Sequence, residues 1–293
     1  MKFFEKHPMF MIMIGILGIS LSAIFVRYST APSPVTASYR LLWTVLMLAP
    51  VVLGSSGYRK ELLACSRQAV ILCAVSGIFL ALHFTTWFES LKHTSVASST
   101  AIVCTEVIWV ALGYFFFLKG SLSKMAVCCI TITVGGSLMI ALSDYSAGQT
   151  HLLGDILSLA AAMFVAVYTL IGRVARSTMS TTVYTFLVYS FCALTLLILT
   201  FISGDSLTGY GWNPVVIGLL LGLCSTILGH SIFSWCLKYF SPAFVSASKL
   251  CEPVIAALFA IVLFGEIPSL LQILGGGVII GGVLLYSKEE AGH

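Results

Sequence analysis

The sequence predicts an all-α membrane protein of ten transmembrane helices, arranged as two inverted five-helix repeats. Three observations lead there. Of the 293 residues, 59% are hydrophobic and only 9% are charged, against about 25% charged in an average soluble domain. The apolar residues gather in runs long enough to cross a bilayer, which takes roughly 20 residues. The few charges within and beside those runs recur at a spacing of 146 residues. A soluble core could not hide this much apolar surface, so lipid must act as solvent for part of it.

The first run, Met9 to Val26, follows Lys2 and Lys6 and so resembles a signal peptide. It is long for one, lacks a convincing small-residue cleavage site and precedes many similar runs, so it reads as the first helix. The spans fall near 9–28, 35–54, 69–89, 96–118, 124–143, 154–172, 181–203, 213–235, 242–264 and 269–286. Turn residues or charges separate them: Ala31-Pro32-Ser33-Pro34, Gly54 to Lys60, Asp144 to Gly148, Gly204 to Gly211 and Ser241-Pro242. The connections are short, which makes successive helices antiparallel neighbours and leaves no room for a soluble domain. Barrel strands would be about 10 residues of alternating polarity. These runs are longer and apolar on all sides, and a helix satisfies its own backbone within one segment.

Lys and Arg orient the spans. Lys2, Lys6, Arg59, Lys60, Arg67, Lys119, Lys124, Arg173, Arg176, Lys238 and Lys288 all fall on the side of the two termini. Arg27 and Lys92 fall on the other, while Arg40 and Lys249 lie within spans. The positive-inside rule makes both termini cytoplasmic, in what reads as a bacterial inner membrane protein.

Shifted by 146 residues, the second half superposes on the first, span on span. Arg27 meets Arg173, Lys92 meets Lys238 and Glu106 meets Glu252; Ser95 meets Ser241, and Gly135-Gly136 meets Gly281-Gly282. The repeats are expected at 1–147 and 148–293. Each holds an odd number of spans, so the two insert in opposite directions. Inverted repeats are characteristic of transporters, in which two equivalent halves open alternately around one central site.

Other functions find little support. The net charge of +4 is small and spread out, which argues against a nucleic-acid partner. Nine cysteines include no CxxC pair and no Cys/His metal spacing, and Cys73, Cys104, Cys128, Cys129, Cys192, Cys224 and Cys251 lie in apolar runs as small packing residues. No HExxH, GxSxG or P-loop occurs. The expectation is therefore no enzyme, no cofactor and no metal, and any driving force comes from a gradient rather than from ATP.

A charge near mid-bilayer costs about 3 kcal/mol on insertion scales and survives where it is paired or lines a wet cavity. Glu106 and Glu252 lie near the middle of the fourth and ninth spans, where the repeat would bring both to the central axis. Lys249 is three residues before Glu252 on the same helical face. The two either neutralise each other or line a cavity. Pro253 removes a helical hydrogen bond and frees a carbonyl near position 249. Arg40, inside the second span, could snorkel outward, attract a substrate carboxylate or pair with a glutamate. Tyr39 and Trp43 flank it and Trp109 is one turn from Glu106, where aromatic faces suit ammonium groups. His83 and His230 are buried as proton relays or as hydrogen-bonded structural residues. Glu89 belongs at the outer interface. Gly135-Gly136, Gly218/Gly222, Gly275-Gly276-Gly277 and Gly281-Gly282 allow helices to approach closely. The fifth and tenth spans, without charge at depth, are expected to be scaffold or contact surface.

The stretch Cys251-Glu252-Pro253-Val254-Ile255 through Phe264-Gly265-Glu266, then Gln272, Gly275 and Gly281, resembles the second repeat of the EamA-type drug/metabolite transporters. Leu21-Ser22-Ala23-Ile24-Phe25-Val26-Arg27 is similar to their first helix, and Ala37-Ser38-Tyr39-Arg40-Leu41-Leu42 to their second, with its arginine at Arg40. The resemblance covers nearly the whole chain. It implies two inverted five-helix repeats, a cavity lined mainly by spans one to four and six to nine, and alternating access. Similar proteins export amino acids, amines, drugs or other metabolites; some import choline-like amines or nucleotide sugars. This chain has Lys119-Gly120 where the family has Gly-Glu, and Val107 where it has proline, so the first-repeat wall is expected to differ. Lys249 is not general to the family and is a candidate for selectivity.

The leading expectation is a secondary transporter, an exporter of a small amphiphilic metabolite bearing an amine, such as an amino acid. Glu106 and Glu252 would bind the amine or exchange a proton. Lys249 and Arg40 would meet a carboxylate, and Trp43 and Trp109 would form aromatic walls. The alternatives are an importer of choline-like or simple amines, and a non-transporting membrane helper. The partners expected are a small-molecule substrate and the lipid bilayer, with a homodimer left open.

Overall fold

The computed structural model describes residues 7–94, 96–145, 152–264 and 269–291. Among them helix accounts for all regular structure and no strand occurs, as expected where backbone groups must pair without water. Lys2, Lys6, Ser95, Gly148, Gly265 and Glu266, to which the sequence gave a part, lie outside the described residues.

Helices α1 (Pro8–Ser20) and α2 (Ser22–Arg27) make one apolar run with a bend at Leu21. The Ser20 hydroxyl donates to the Ile16 carbonyl at 2.7 Å, a back-bond that loosens helices. Helix α3 (Ser33–Gly54) starts with Pro34 in its first turn, where a missing N–H costs nothing. Helix α4 (Ser56–Leu63) forms where the sequence suggested only a break. The Ser55 side chain caps it by accepting from the Tyr58 N–H, and no residue of it is buried. Ser66 caps α5 (Arg67–His93) in the same way. Helices α6 (Val96–Val103) and α7 (Glu106–Leu118) follow, and Lys119 in left-handed conformation (φ 51°) stops α7. Then come α8 (Lys124–Tyr145), α9 (Leu152–Ala175) and α10 (Thr181–Ile202), the last capped by Ser180.

Helix α11 (Asn213–Leu220) runs into an 11-residue π-helical segment, Leu221–Ser231, and on into α12 (Ile232–Cys236). Helix α13 (Pro242–Ser248), capped by Ser241, leads through a single 3₁₀ turn, Lys249–Cys251, into α14 (Glu252–Phe264). Helix α15 (Leu270–Ala291) is the last.

Seven helical runs among the described residues are long and apolar enough to cross a membrane: Pro8–Arg27, Ser33–Gly54, Arg67–His93, Ser99–Leu118, Leu152–Ala175, Thr181–Ile202 and Asn213–Cys236. Lys124–Met139 is a shorter apolar helix. Outward faces carry bare apolar side chains such as Leu46, Leu63, Phe117, Phe201 and Val262, a surface that suits lipid. The chain is thus a multi-pass membrane protein.

Helix α5 packs against α9 and α10, α3 against α10 and α11, α1 against the π segment, and α8 against α15. Helix–helix adhesion in lipid depends on close approach. A Cβ at Gly18 would sit 2.6 Å from the Cys224 carbonyl oxygen, so only glycine lets α1 lie against the π segment. A Cβ at Gly136 would stand 2.7 Å from the Gly275 carbonyl, which brings α8 onto α15. Gly218, Gly222 and Gly282 also lie at tight crossings, whereas Gly135, Gly277 and Gly281 face open space. We expect Gly18→Ala to destabilise the purified protein by about 1–3 kcal/mol through overpacking. Gly135→Ala should leave the thermal unfolding midpoint unchanged or slightly raised.

Candidate functional site

Among the described residues, two helical runs break and resume on a glutamate. The first break lies at Cys104-Thr105, between α6 and α7. No proline causes it: the Thr105 hydroxyl donates to the Ile102 carbonyl at 2.6 Å, and the Thr105 N–H reaches the same oxygen at 3.0 Å. The second lies at Lys249–Cys251. Pro253 has no N–H to offer the Lys249 carbonyl. That oxygen instead takes the Glu252 N–H and the Cys104 thiol, whose sulfur is 3.6 Å away. Glu106 and Glu252 are therefore the first residues of α7 and α14, where the positive end of the helix dipole favours a carboxylate.

Both carboxylates line one internal cavity of about 30 Å³. Its other walls are Ile19, Ser22, Arg40, His83, Trp87, Val103, Cys104, Val165, His230 and Lys249. This leaves room for only a few water molecules, so the site is narrow. Glu106, Glu252 and Lys249 are all at most 7% exposed, and Arg40 is not exposed at all. The lining comes from α1, α2, α3, α5, α6, α7, α9, the π segment, the 3₁₀ turn and α14. Among the described residues, neither α8 nor α15 contributes to it.

Six of the nine predicted site residues meet here: Arg40, His83, Glu106, His230, Lys249 and Glu252. Lys249 donates from Nζ to Glu106 Oε1 at 2.7 Å, so its ion pair runs across to α7 rather than along its own helix to Glu252. The ammonium also lies 5.3 Å from the Phe233 ring centroid, an apolar setting in which charge is poorly screened. Arg40 does not snorkel. It points inward, with Nε donating to Thr226 Oγ1 at 2.8 Å and one terminal nitrogen donating to Ser22 Oγ at 3.1 Å. Its guanidinium carbon lies 4.0 Å over the Phe84 ring centroid. The second terminal nitrogen of Arg40, Trp87 Nε1 and His230 Nδ1 are buried and have no hydrogen-bond partner. His83 contacts the Ala161 carbonyl through Nδ1 at 3.0 Å. A carbonyl only accepts, so that nitrogen carries the proton. The His83 ring stacks on Trp87 and meets His230 edge-on, with the histidine centroids 6.3 Å apart.

Three predicted residues are elsewhere. The Tyr39 hydroxyl donates to the Leu207 carbonyl at 2.8 Å, and Trp43 Nε1 donates to the Val215 carbonyl at 3.0 Å. Both tie α3 to the segment around the start of α11. Trp109 is half-buried outside the cavity lining. Glu89 lies at the rim, accepting from Ser33 at 2.8 Å and from Lys92 at 2.9 Å, with His93 Nε2 at 3.3 Å.

Sequence reasoning overlooked Trp87, Ser22, Cys104 and Thr226. Trp87 had a signal, since it lies four residues after His83 and so on the same helical face. Thr226 had none, because it faces Arg40 from within the π segment. Among the described residues, no three His, Cys, Asp or Glu side chains converge as metal ligands would.

Residues 7–142 and 152–288 match the EamA-like transporter family. An uncharacterized transporter of Clostridium kluyveri is 21% identical, over 85% of this chain and 82% of its own. The pseudopaline exporter CntI of Pseudomonas aeruginosa is 24% identical, over 80% of this chain and 81% of its own. A protein crystal structure covers 98% of both chains with a TM-score of 0.75 at 16% identity, a likeness of fold alone. The two matched stretches take in most of the 293 residues, and the chain belongs to the EamA-like transporter family.

Proposed function

We propose that this protein exports a small zwitterionic metabolite of the amino-acid type, by alternating access of two oppositely inserted five-helix halves. The observation that carries the proposal is the pairing of unused groups in the cavity. Arg40 has a terminal nitrogen without a partner, and the Glu252 carboxylate accepts no hydrogen bond from a described residue. A substrate carboxylate would take the Arg40 nitrogen and Trp87 Nε1, and its ammonium would take Glu252. Tight affinity is not required, because a carrier must also let go.

The ten-span, two-repeat arrangement draws support from the helix boundaries. Offset by 146 residues, α7 coincides with α14 and α8 with α15, end to end. Both glutamates then occupy the same place beside the same kind of break. The eleven-to-two division of Lys and Arg supports cytoplasmic termini in a bacterial inner membrane. Export is supported by the name of the Pseudomonas aeruginosa relative.

A cavity of about 30 Å³ is far smaller than the roughly 300–1,000 Å³ of pockets for drug-sized ligands. Helices must part to admit a substrate, which suits the contracted stage between two open states.

Reconstitution tests the proposal. Proteoliposomes are loaded with a panel of radiolabelled amino acids and simple amines, and release is timed. Glu252→Gln keeps the shape and removes the charge. It should slow release of the transported amino acid by about tenfold or more, the loss expected from one charge-assisted hydrogen bond. Unchanged release would remove Glu252 from the binding site.

A further inference from the structure

The acids of the cavity come from repeated positions, but its bases do not. Glu106 and Glu252 correspond across the 146-residue offset, whereas Lys249 corresponds to Val103 and Arg40 to Phe186. A symmetric carrier would hold two negative charges in its centre. Counted by formal charge, this one holds two of each sign, all lining the same small cavity. Lys249 is committed to Glu106 at 2.7 Å, which leaves Arg40 as the only other Lys or Arg lining the cavity with Glu252 among the described residues. The surroundings include the Phe233 ring and Val103, with little room for water, so an uncompensated charge would be costly.

We propose that Lys249 sets the charge balance of the carrier. With it, the empty cavity sums to zero and passes through the contracted stage without a passenger, and a zwitterion leaves the sum at zero. The inference rests on the reading above that the site moves small zwitterions. It adds that transport is net release rather than obligatory exchange, and that one side chain decides between zwitterions and cations. Without Lys249 the cavity carries one negative charge. The empty and zwitterion-loaded forms are then both held back, while a cation-loaded form is neutral and moves. A proton on Glu106 would also restore neutrality. Glu106 is faced by Lys249 from the 3₁₀ turn, Glu252 from α14, Arg40 from α3, His83 from α5, Tyr168 from α9 and His230 from the π segment, with the Cys104 thiol beside the break.

The test compares radiolabelled L-threonine, a zwitterion, with radiolabelled choline, a permanent cation of similar size without a carboxylate. Wild-type proteoliposomes should release threonine into ligand-free buffer and retain choline. Lys249→Met should slow threonine release by about tenfold or more at mildly alkaline pH, regain it at mildly acidic pH, and exchange internal for external choline. Lys249→Met/Glu106→Gln sums to zero again and should release threonine at both pH values. Wild-type threonine release by the single variant at alkaline pH would overturn the proposal. So would a folded double variant that stays slow, because the pair contact rather than the balance would then be required.

If wild type moves neither compound, the zwitterion reading fails separately, and ligand-free hydrogen–deuterium exchange decides this one. The breaks at 104–105 and 249–251 should stay protected in wild type at both pH values. In Lys249→Met they should lose protection at alkaline pH only, and in the double variant they should keep it. Unchanged protection in Lys249→Met overturns the proposal.

Discussion

Removing one member of the Lys249–Glu106 pair is expected to destabilise the protein by about 3–5 kcal/mol, whereas replacing both by neutral side chains of similar size should cost little. The pair joins α7 to the 3₁₀ turn before α14 at 2.7 Å, and both side chains are more than nine-tenths buried. Little water can reach a stranded partner, so the cost of desolvating it returns in full. The two single removals should differ. Glu106→Gln leaves an ammonium with a second carboxylate three residues along its own chain, Glu252, and can recover part of the loss by turning to it. Lys249→Met leaves a carboxylate with no such neighbour on its own helix. At alkaline pH the order of unfolding midpoints should be wild type close to the double variant, then Glu106→Gln, then Lys249→Met. Equal midpoints for all four proteins would mean that the pair contributes nothing.

The second large effect should follow from Arg40. Arg40→Met removes the donors to Thr226 and Ser22 and the cation over Phe84. It also removes the group proposed to receive a substrate carboxylate. Export of the amino acid should fall by about tenfold or more, with a stability loss of at least about 1–3 kcal/mol from the stranded Ser22 hydroxyl and the Glu252 charge left unbalanced. Arg40→Lys keeps the charge but not the planar fork that reaches both hydroxyls. It should recover stability more than transport, seen as a raised KM with a smaller fall in maximal rate. Transport by Arg40→Met at the wild-type rate would show that the carboxylate is received elsewhere.

The charged members of the site were legible because charge is rare in these runs. Glu106, Glu252, Lys249, Arg40, His83 and His230 each had to be paired or to face something polar, and the structure brings all six to one cavity. The aromatic residues were not legible for the opposite reason: they are common, and adjacency in sequence is not adjacency in space. Tyr39 follows next to Arg40 but is turned about 100° around the helix from it, and its hydroxyl finds the Leu207 carbonyl. Trp43 shares a side of α3 with Arg40, but Val215 offers its indole a carbonyl near the start of α11.

Tertiary contacts decided the remaining differences. Spacing alone made Glu252 the natural partner of Lys249, yet the lysine reaches across to Glu106. The π segment packs against α1 and α3, and nothing in Leu221–Ser231 forbids an ordinary helix. Helix α4 is a short capped turn in a stretch whose glycines and charges read as a linker.

Pro253 leaves the Lys249 carbonyl in need of a donor, and the thiol that answers belongs to Cys104, at the other interruption. The two hinge points are thus fastened to each other by a main-chain group. Bending one strains or breaks this link unless the other follows. A shift at one interruption would then disturb the other through this sulfur contact.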